Sequence, residues 1–185
     1  MMASSVPRIN KSPEYSSGRL THSRPSVYNG DMALTSLHGL YYEEFVIGDK
    51  ASSTTRTITE SDVVMFAGLS GDYNELHTSV TYGEKTMFGK RIAHGLLGLS
   101  IASGLAFQMG FLVGTVDAFR SVEWEFTAPI FIGDTIHLEA EVMELKPFPR
   151  LGNGRVMFKV AVVNQDGKTV QRGMWSLLVR NKLRT

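Results

Sequence analysis

Asp72, Asn74 and His77 fall within one short run, Ala67-Gly68-Leu69-Ser70-Gly71-Asp72-Tyr73-Asn74-Glu75-Leu76-His77. An imidazole, with an intrinsic pKa of about 6.5, takes and returns a proton near neutral pH. A carboxylate beside it orients the ring, accepts from a water, or serves as a second base. Asn74 offers both donor and acceptor, enough to fix the loop or the water. Taken singly, each has a plainer use: Asp72 and Asn74 as turn caps, His77 as a satisfied core histidine. A second segment, Arg91-Ile92-Ala93-His94-Gly95-Leu96-Leu97, opens an uncharged helical run. An acid/base pair beside a helix start can hold a water and polarise a carbonyl, so the combination points to an enzyme.

The surrounding pattern supplies elements to position these groups. Ser52 to Ile58 is Thr-rich with a weak period of two and predicts a strand. Thr59-Glu60-Ser61-Asp62 has a helix-start signature, with Thr59 as N-cap and acids in the first turn. Val63, Phe66 and Ala67 follow at helical spacing, and Ser70-Gly71 ends that helix. The Asp72–His77 segment is then an irregular loop in which the two side chains converge without helical geometry. A short irregular or helical piece leads to an apolar helix from about His94 to Met109. Beyond it, Val122, Trp124 and Phe126 alternate with Glu123 and Glu125, and Ile136, Leu138, Ala140 and Val142 alternate with His137, Glu139 and Glu141. Two further strands, Val156 to Val163 and Thr169 to Val179, flank Asn164-Gln165-Asp166-Gly167, whose Asp-Gly pair is a hairpin signal. The expected fold class is α+β, an antiparallel sheet wrapped around a long apolar central helix.

Composition narrows the function classes. The chain has 185 residues, which suits one domain, here 39–185, preceded by an extension over 1–38. Lys+Arg of 19 against Asp+Glu of 18 gives no broad basic or acidic face, so neither nucleic acid nor a membrane surface is an expected partner. Zero cysteines exclude disulfides, zinc–thiolate sites and thiol nucleophiles. The expected location is cytoplasmic, although the basic, Ser-rich N-terminus leaves organellar import open. Ile92 to Val116 lacks Asp, Glu, Lys and Arg and is long enough to span a bilayer. Its glycines at 95, 98, 104, 110 and 114 and the strands that follow favour a buried core helix, and the glycines within 95–104 read as close-packing positions. Asp72, His77 and His94 form no recognised metal-ligand spacing, so no metal is expected. Ser70 and Ser103 lack a nucleophile-elbow context.

From about Tyr41 to Val179 the chain resembles the MaoC-like group of (R)-specific enoyl-CoA hydratases and dehydratases, which have the hot-dog fold. The resemblance is carried by Ala67 to His77, by Phe88-Gly89-Lys90-Arg91-Ile92-Ala93-His94-Gly95-Leu96-Leu97, by Ser100 to Leu105 and by Phe126-Thr127-Ala128-Pro129-Ile130-Phe131-Ile132-Gly133-Asp134. It implies that Asp72 and His77 are the catalytic dyad holding the water that adds across a trans-2-enoyl double bond. It further implies that the Gly95 N–H binds the thioester oxygen, where it and the helix dipole stabilise the enolate. Asn74, His94 and Ser103 are implied as supporting residues. Lys85, Lys90 and Arg91 are candidates for the phosphates of coenzyme A. The only small molecule needed is coenzyme A within the acyl-CoA thioester substrate, with no separate cofactor, and a homodimer or higher homo-oligomer is expected. Glu75 stands where the family usually has Pro and Gly83 where it has Ala or Ser. These departures bear on substrate shape and loop rigidity rather than on reacting groups. Rival readings are a dehydratase of branched or dicarboxylic hydroxyacyl-CoA or of acyl-carrier-protein thioesters, a hot-dog thioesterase, and a non-catalytic acyl-CoA-binding module.

Overall fold

Alternation through Ile136, Leu138, Ala140 and Val142 builds an interior strand of the sheet. In the computed structural model, which describes residues 38–182, these four side chains are buried along β4 (Thr135–Phe148) while Glu139 points to solvent. The expected extension over 1–38 therefore lies, but for His38, outside the described residues. β4 pairs antiparallel with β5 (Asn153–Asn164), setting Leu138 opposite Val162, Ala140 opposite Val160 and Val142 opposite Phe158. β6 (Thr169–Arg180) returns through the Asn164–Lys168 turn, where Gly167 adopts φ +73°, and pairs with β5 so that Phe158 meets Trp175. β3 (Val116–Phe126) adds to the far side of β6, giving the order β1-β4-β5-β6-β3. The Thr-rich strand expected over Ser52–Ile58 is instead two short pieces, β1 (Lys50–Ser52) and β2 (Arg56–Thr57), both on the outer edge of β4. Between them, Ser53 exchanges bonds with Leu138: its N–H donates to the Leu138 carbonyl and its Oγ accepts the Leu138 N–H, both at 2.8 Å.

The uncharged run is helical over the stretch expected from about His94 to Met109. α4 spans Gly95–Gln108, with His94 as its N-cap, and the rest of the run turns into β3. It buries Leu97, Ile101, Ala102, Leu105 and Ala106 against the inner faces of β4, β5 and β6, forming one apolar core with Val156, Val160 and Leu177. No helix among the described residues is long and apolar enough to cross a membrane. A sheet curled around one helix is the hot-dog arrangement expected from the sequence. The alternation in β3 does not mark a core face, because β3 is an edge strand: Val122 and Phe126 are 41% and 52% exposed, and Trp124 alone of the three is half-buried.

Candidate active site

Local signals place α1 (Glu60–Ser70) and aim its end at the motif. Thr59 Oγ1 accepts the Asp62 N–H, and the Asp62 carboxylate accepts from the Thr59 N–H and hydroxyl, a reciprocal cap. Gly71 closes the helix in the left-handed region at φ +76°, a conformation that costs glycine nothing. The chain that follows is not the irregular loop expected. Asp72 Oδ1 accepts the Asn74 N–H at 3.2 Å, and Asn74 Oδ1 accepts the Leu76 N–H at 3.0 Å, capping a one-turn helix α2 (Glu75–Thr78) that carries His77. Asp72 and Asn74 thus do fill the turn-capping roles open to such residues, and Asp72 keeps an exposed carboxylate as well.

His77 is buried, and its Nδ1 lies 2.9 Å from the carbonyl of Ile92, so Nδ1 carries the proton and Nε2 is left as an acceptor. His94 is 2% exposed and its Nε2 donates to the Asp72 backbone carbonyl at 2.9 Å. A donor or acceptor atom from each of Asp72, His77 and His94 lies within 4.8 Å of the other two. Two hydrogen bonds of about 2.8 Å meeting at a tetrahedral oxygen span about 4.6 Å, so one water fits between carboxylate and imidazole. The same trio is the cluster a metal would need. However, the imidazoles of His77 and His94 lie against each other, centroids 3.9 Å apart and planes inclined by 31°. Rings so stacked share no nearby point at which both can aim an in-plane lone pair, so joint ligation would require one ring to turn.

Gly95 is the first residue of α4, so its N–H has no partner within the helix and points out of the helix start. The Phe126 ring packs on it so closely that a Cβ there would sit 2.8 Å from the ring. Gly83, which ends α3 (Val80–Gly83), is required for a similar reason, since a Cβ would lie 2.6 Å from the Arg91 nitrogen. The departure from Ala or Ser at this position thus reflects tighter packing under the Arg91 segment. Of the expected close-packing glycines in α4, Gly95 and Gly98 are crowded, whereas Gly104 faces open space.

Arg91 grips both oxygens of Glu60, at 2.8 and 2.6 Å, and reaches the His77 carbonyl at 3.5 Å. This hydrogen-bonded pairing lowers the Glu60 pKa and raises that of Arg91. Arg91 therefore ties α1 to the dyad segment, while Lys85 and Lys90 stay exposed, Lys90 lying 4.1 Å over the Phe131 ring. Glu75 faces solvent. Ser103 is exposed on α4 and donates to the Ser100 carbonyl, about two turns beyond Gly95. A cavity of ≈ 1010 Å³ lies on the outer face of the sheet among Glu123, Glu141, Lys159 and Arg172, and neither Asp72 nor His77 lines it. A smaller one of ≈ 280 Å³ runs between α1 and α4, lined by Met65, Phe66, Leu69, Leu97 and Ile101. Phe66 connects it to the site, its ring 5.0 Å from that of His94.

Sequence reading missed four participants: the Ile92 carbonyl, the Glu60–Arg91 pair, Phe126 as a wall, and Gln171 on β6. None of the four carried a local signal, since Gln171 itself is followed by Arg172 and Gly173.

Three comparisons bear on this arrangement. An (R)-specific enoyl-CoA hydratase of Rhodospirillum rubrum is 34% identical over 140 residues, 76% of this chain and 92% of its own. A 3-hydroxybutyryl-CoA dehydratase of Methylorubrum extorquens is 37% identical over 114 residues, 62% of this chain and 71% of its own. An Archaeoglobus structure described as a monoamine oxidase regulatory protein superposes with a TM-score of 0.74 at 40% identity, covering 79% of this chain and 97% of that one. The family model for the MaoC-like domain matches residues 44–164, which takes in the capped α1, the Asp72–His77 turn, α4 and most of the sheet, and the chain belongs to that family.

Proposed function

We propose that this protein is a hydro-lyase that adds water to trans-2-enoyl-CoA to give (R)-3-hydroxyacyl-CoA, and catalyses the reverse dehydration. The observation that carries this reading is the meeting of the Asp72 carboxylate and the His77 ring, a ring nitrogen and a carboxylate oxygen lying within 4.8 Å of each other; with Nδ1 donating to the Ile92 carbonyl, Nε2 is the ring atom left to accept from a water. The water oxygen bonds to C3 while the dyad takes one of its protons. The electron pair of the double bond moves onto the thioester carbonyl as an enolate, which the Gly95 N–H and the start of α4 stabilise. The enolate collapses as the dyad's proton passes to C2, so one water is consumed and the dyad is restored. No net oxidation or reduction occurs, so coenzyme A enters only as part of the substrate.

His94 supports the turn by holding the Asp72 carbonyl, and Asn74 supports it by capping α2. With Arg91 committed to Glu60, the phosphates fall to Lys85 and Lys90. The acyl chain lies in the apolar groove between α1 and α4. The partner is a second copy of the chain, because edge strand β3 exposes Phe119, Val122 and Phe126, and α4 exposes Leu96 and Phe107. A cytoplasmic setting accords with a chain that uses no cysteine.

Incubation with a short-chain enoyl-CoA is the direct test. Loss of the enoyl-thioester absorbance without release of free thiol is expected. Thiol release would replace the hydratase with a thioesterase, and binding without turnover would leave an acyl-CoA-binding module.

A further inference from the structure

Gln171 is a polar side chain, 2% exposed, sunk against the start of α4 and unused by the mechanism above. Its Nε2 donates to the Gly95 carbonyl at 3.0 Å, and its Oε1 accepts the Trp124 indole N–H at 3.1 Å. An indole N–H can only donate and a carbonyl can only accept, so this orientation of the amide is the one that satisfies both ends. Space for it is cut from both sides. A Cβ on Gly98 would sit 2.3 Å from the Gln171 amide nitrogen, and one on Gly173 would sit 2.0 Å from the Glu123 carbonyl oxygen and 2.6 Å from the Trp124 ring.

A buried amide is costly unless its bonds are made, and an apolar side chain of equal size would pack the same space. What the amide adds is a fixed point. The residue whose N–H faces the thioester oxygen is held through its carbonyl by Gln171, while His94, immediately before it, is held through its ring by the Asp72 carbonyl. We propose that Gln171 is a positioning residue for the hydration step: it ties the first turn of α4 to β6 and, through Trp124, to β3, so that the Gly95 N–H meets the enolate oxygen without moving. The proposal rests on the reading of the site as an enoyl-thioester hydratase. Electrostatic stabilisation works best when the donor is already aimed, so a loosened Gly95 lowers the rate of the chemical step more than it weakens substrate binding.

The test compares wild type, Gln171→Met and Trp124→Phe, each well below its own melting transition. Methionine fills nearly the same volume and removes both hydrogen bonds. The expected result for Gln171→Met is a kcat lowered at least about tenfold with KM within about threefold, and a reduced NMR order parameter at the Gly95 amide. Trp124→Phe, which leaves the bond to Gly95 in place, shifts both in the same direction by less. Should Gln171→Met not fold, the wild-type chain still decides: the Gly95 amide is expected near the rigid-backbone order parameter of about 0.85, and a value below about 0.6 overturns the clamp. A folded Gln171→Met with wild-type kcat and only a lowered Tm also overturns it, leaving Gln171 a packing residue. If the wild-type chain itself leaves enoyl-CoA untouched, the hydratase reading fails and the catalytic purpose of the clamp fails with it.

Discussion

A single hydrogen bond orients the ring of His77, the base in the proposed reaction. The Ile92 carbonyl, 2.9 Å from Nδ1, favours the proton on that nitrogen, which leaves Nε2 with a lone pair rather than an N–H. Asp72→Asn removes the charge but keeps the shape and the capping bond to Asn74, and His77→Ala removes the base. Each is expected to lower kcat by about 10²–10⁴, with far-UV circular dichroism unchanged; rates near wild type in either variant would remove the dyad from the mechanism. Gly95→Ala probes the neighbouring wall. The added methyl meets the Phe126 ring at 2.8 Å, and it is a side chain rather than backbone that must shift to admit it. The expected signature is a fall of about tenfold in kcat/KM with little change in Tm, measured by steady-state kinetics and thermal melting.

α1 connects the site to the acid stability of the fold. Burial pushes the Asp62 carboxyl pKa upward, but the bonds from Thr59 and the charge and bond of Arg56 outweigh it, and the net shift is downward. A carboxylate whose folded pKa is depressed stabilises the fold above its unfolded pKa of about 3.9, and that contribution is lost as pH falls through the folded value. Asp62→Asn is expected to cost about 0.5–2 kcal/mol near neutrality. The gap between variant and wild type narrows below about pH 4, which urea titrations at several pH values would show; a pH-independent gap would refute the assignment. The α1–α4 groove can be tested without disturbing the core. Gly104 lines it with nothing within 4 Å of a built Cβ, so a side chain at 104 can start without a backbone clash and Gly104→Leu narrows the groove. KM is expected to rise for longer enoyl-CoA and to stay near wild type for a four-carbon substrate. An unchanged chain-length profile would place the acyl chain elsewhere.

At the scale of the whole chain, the sheet closes on α4 on one side and remains open at β3. An open edge strand bearing exposed aromatic and aliphatic side chains is an association surface unless something covers it. Sedimentation is expected to show a species of about 41 kDa or a multiple of it, twice the 20.4 kDa of one chain. Phe119→Asp with Phe107→Asp is expected to shift it toward monomer. A monomeric wild type at micromolar concentration would contradict the paired edge.

Local chemistry made much of this protein legible in its residues. The cap at Thr59, the helix end at Ser70-Gly71, the turn at Asp166-Gly167 and the period-two strand through Ile136 to Val142 depend on near neighbours in the chain, and the structure bears each of them out. Asp72 and His77 were visible as candidates because their spacing is itself short. Other features depended on groups far apart in sequence. Residue 74 caps a one-turn helix where a loop was expected, and β3 lies at an edge, so its alternation does not face a core. Arg91 pairs with Glu60 across α1, and Gln171 reaches Gly95 from the last strand. These are contacts between elements, which local periodicity does not encode. Residue types and spacing determined which groups could react, and only the folding of β6 and β3 around α4 decided that Gln171 and Phe126 pack against Gly95 at the start of the helix.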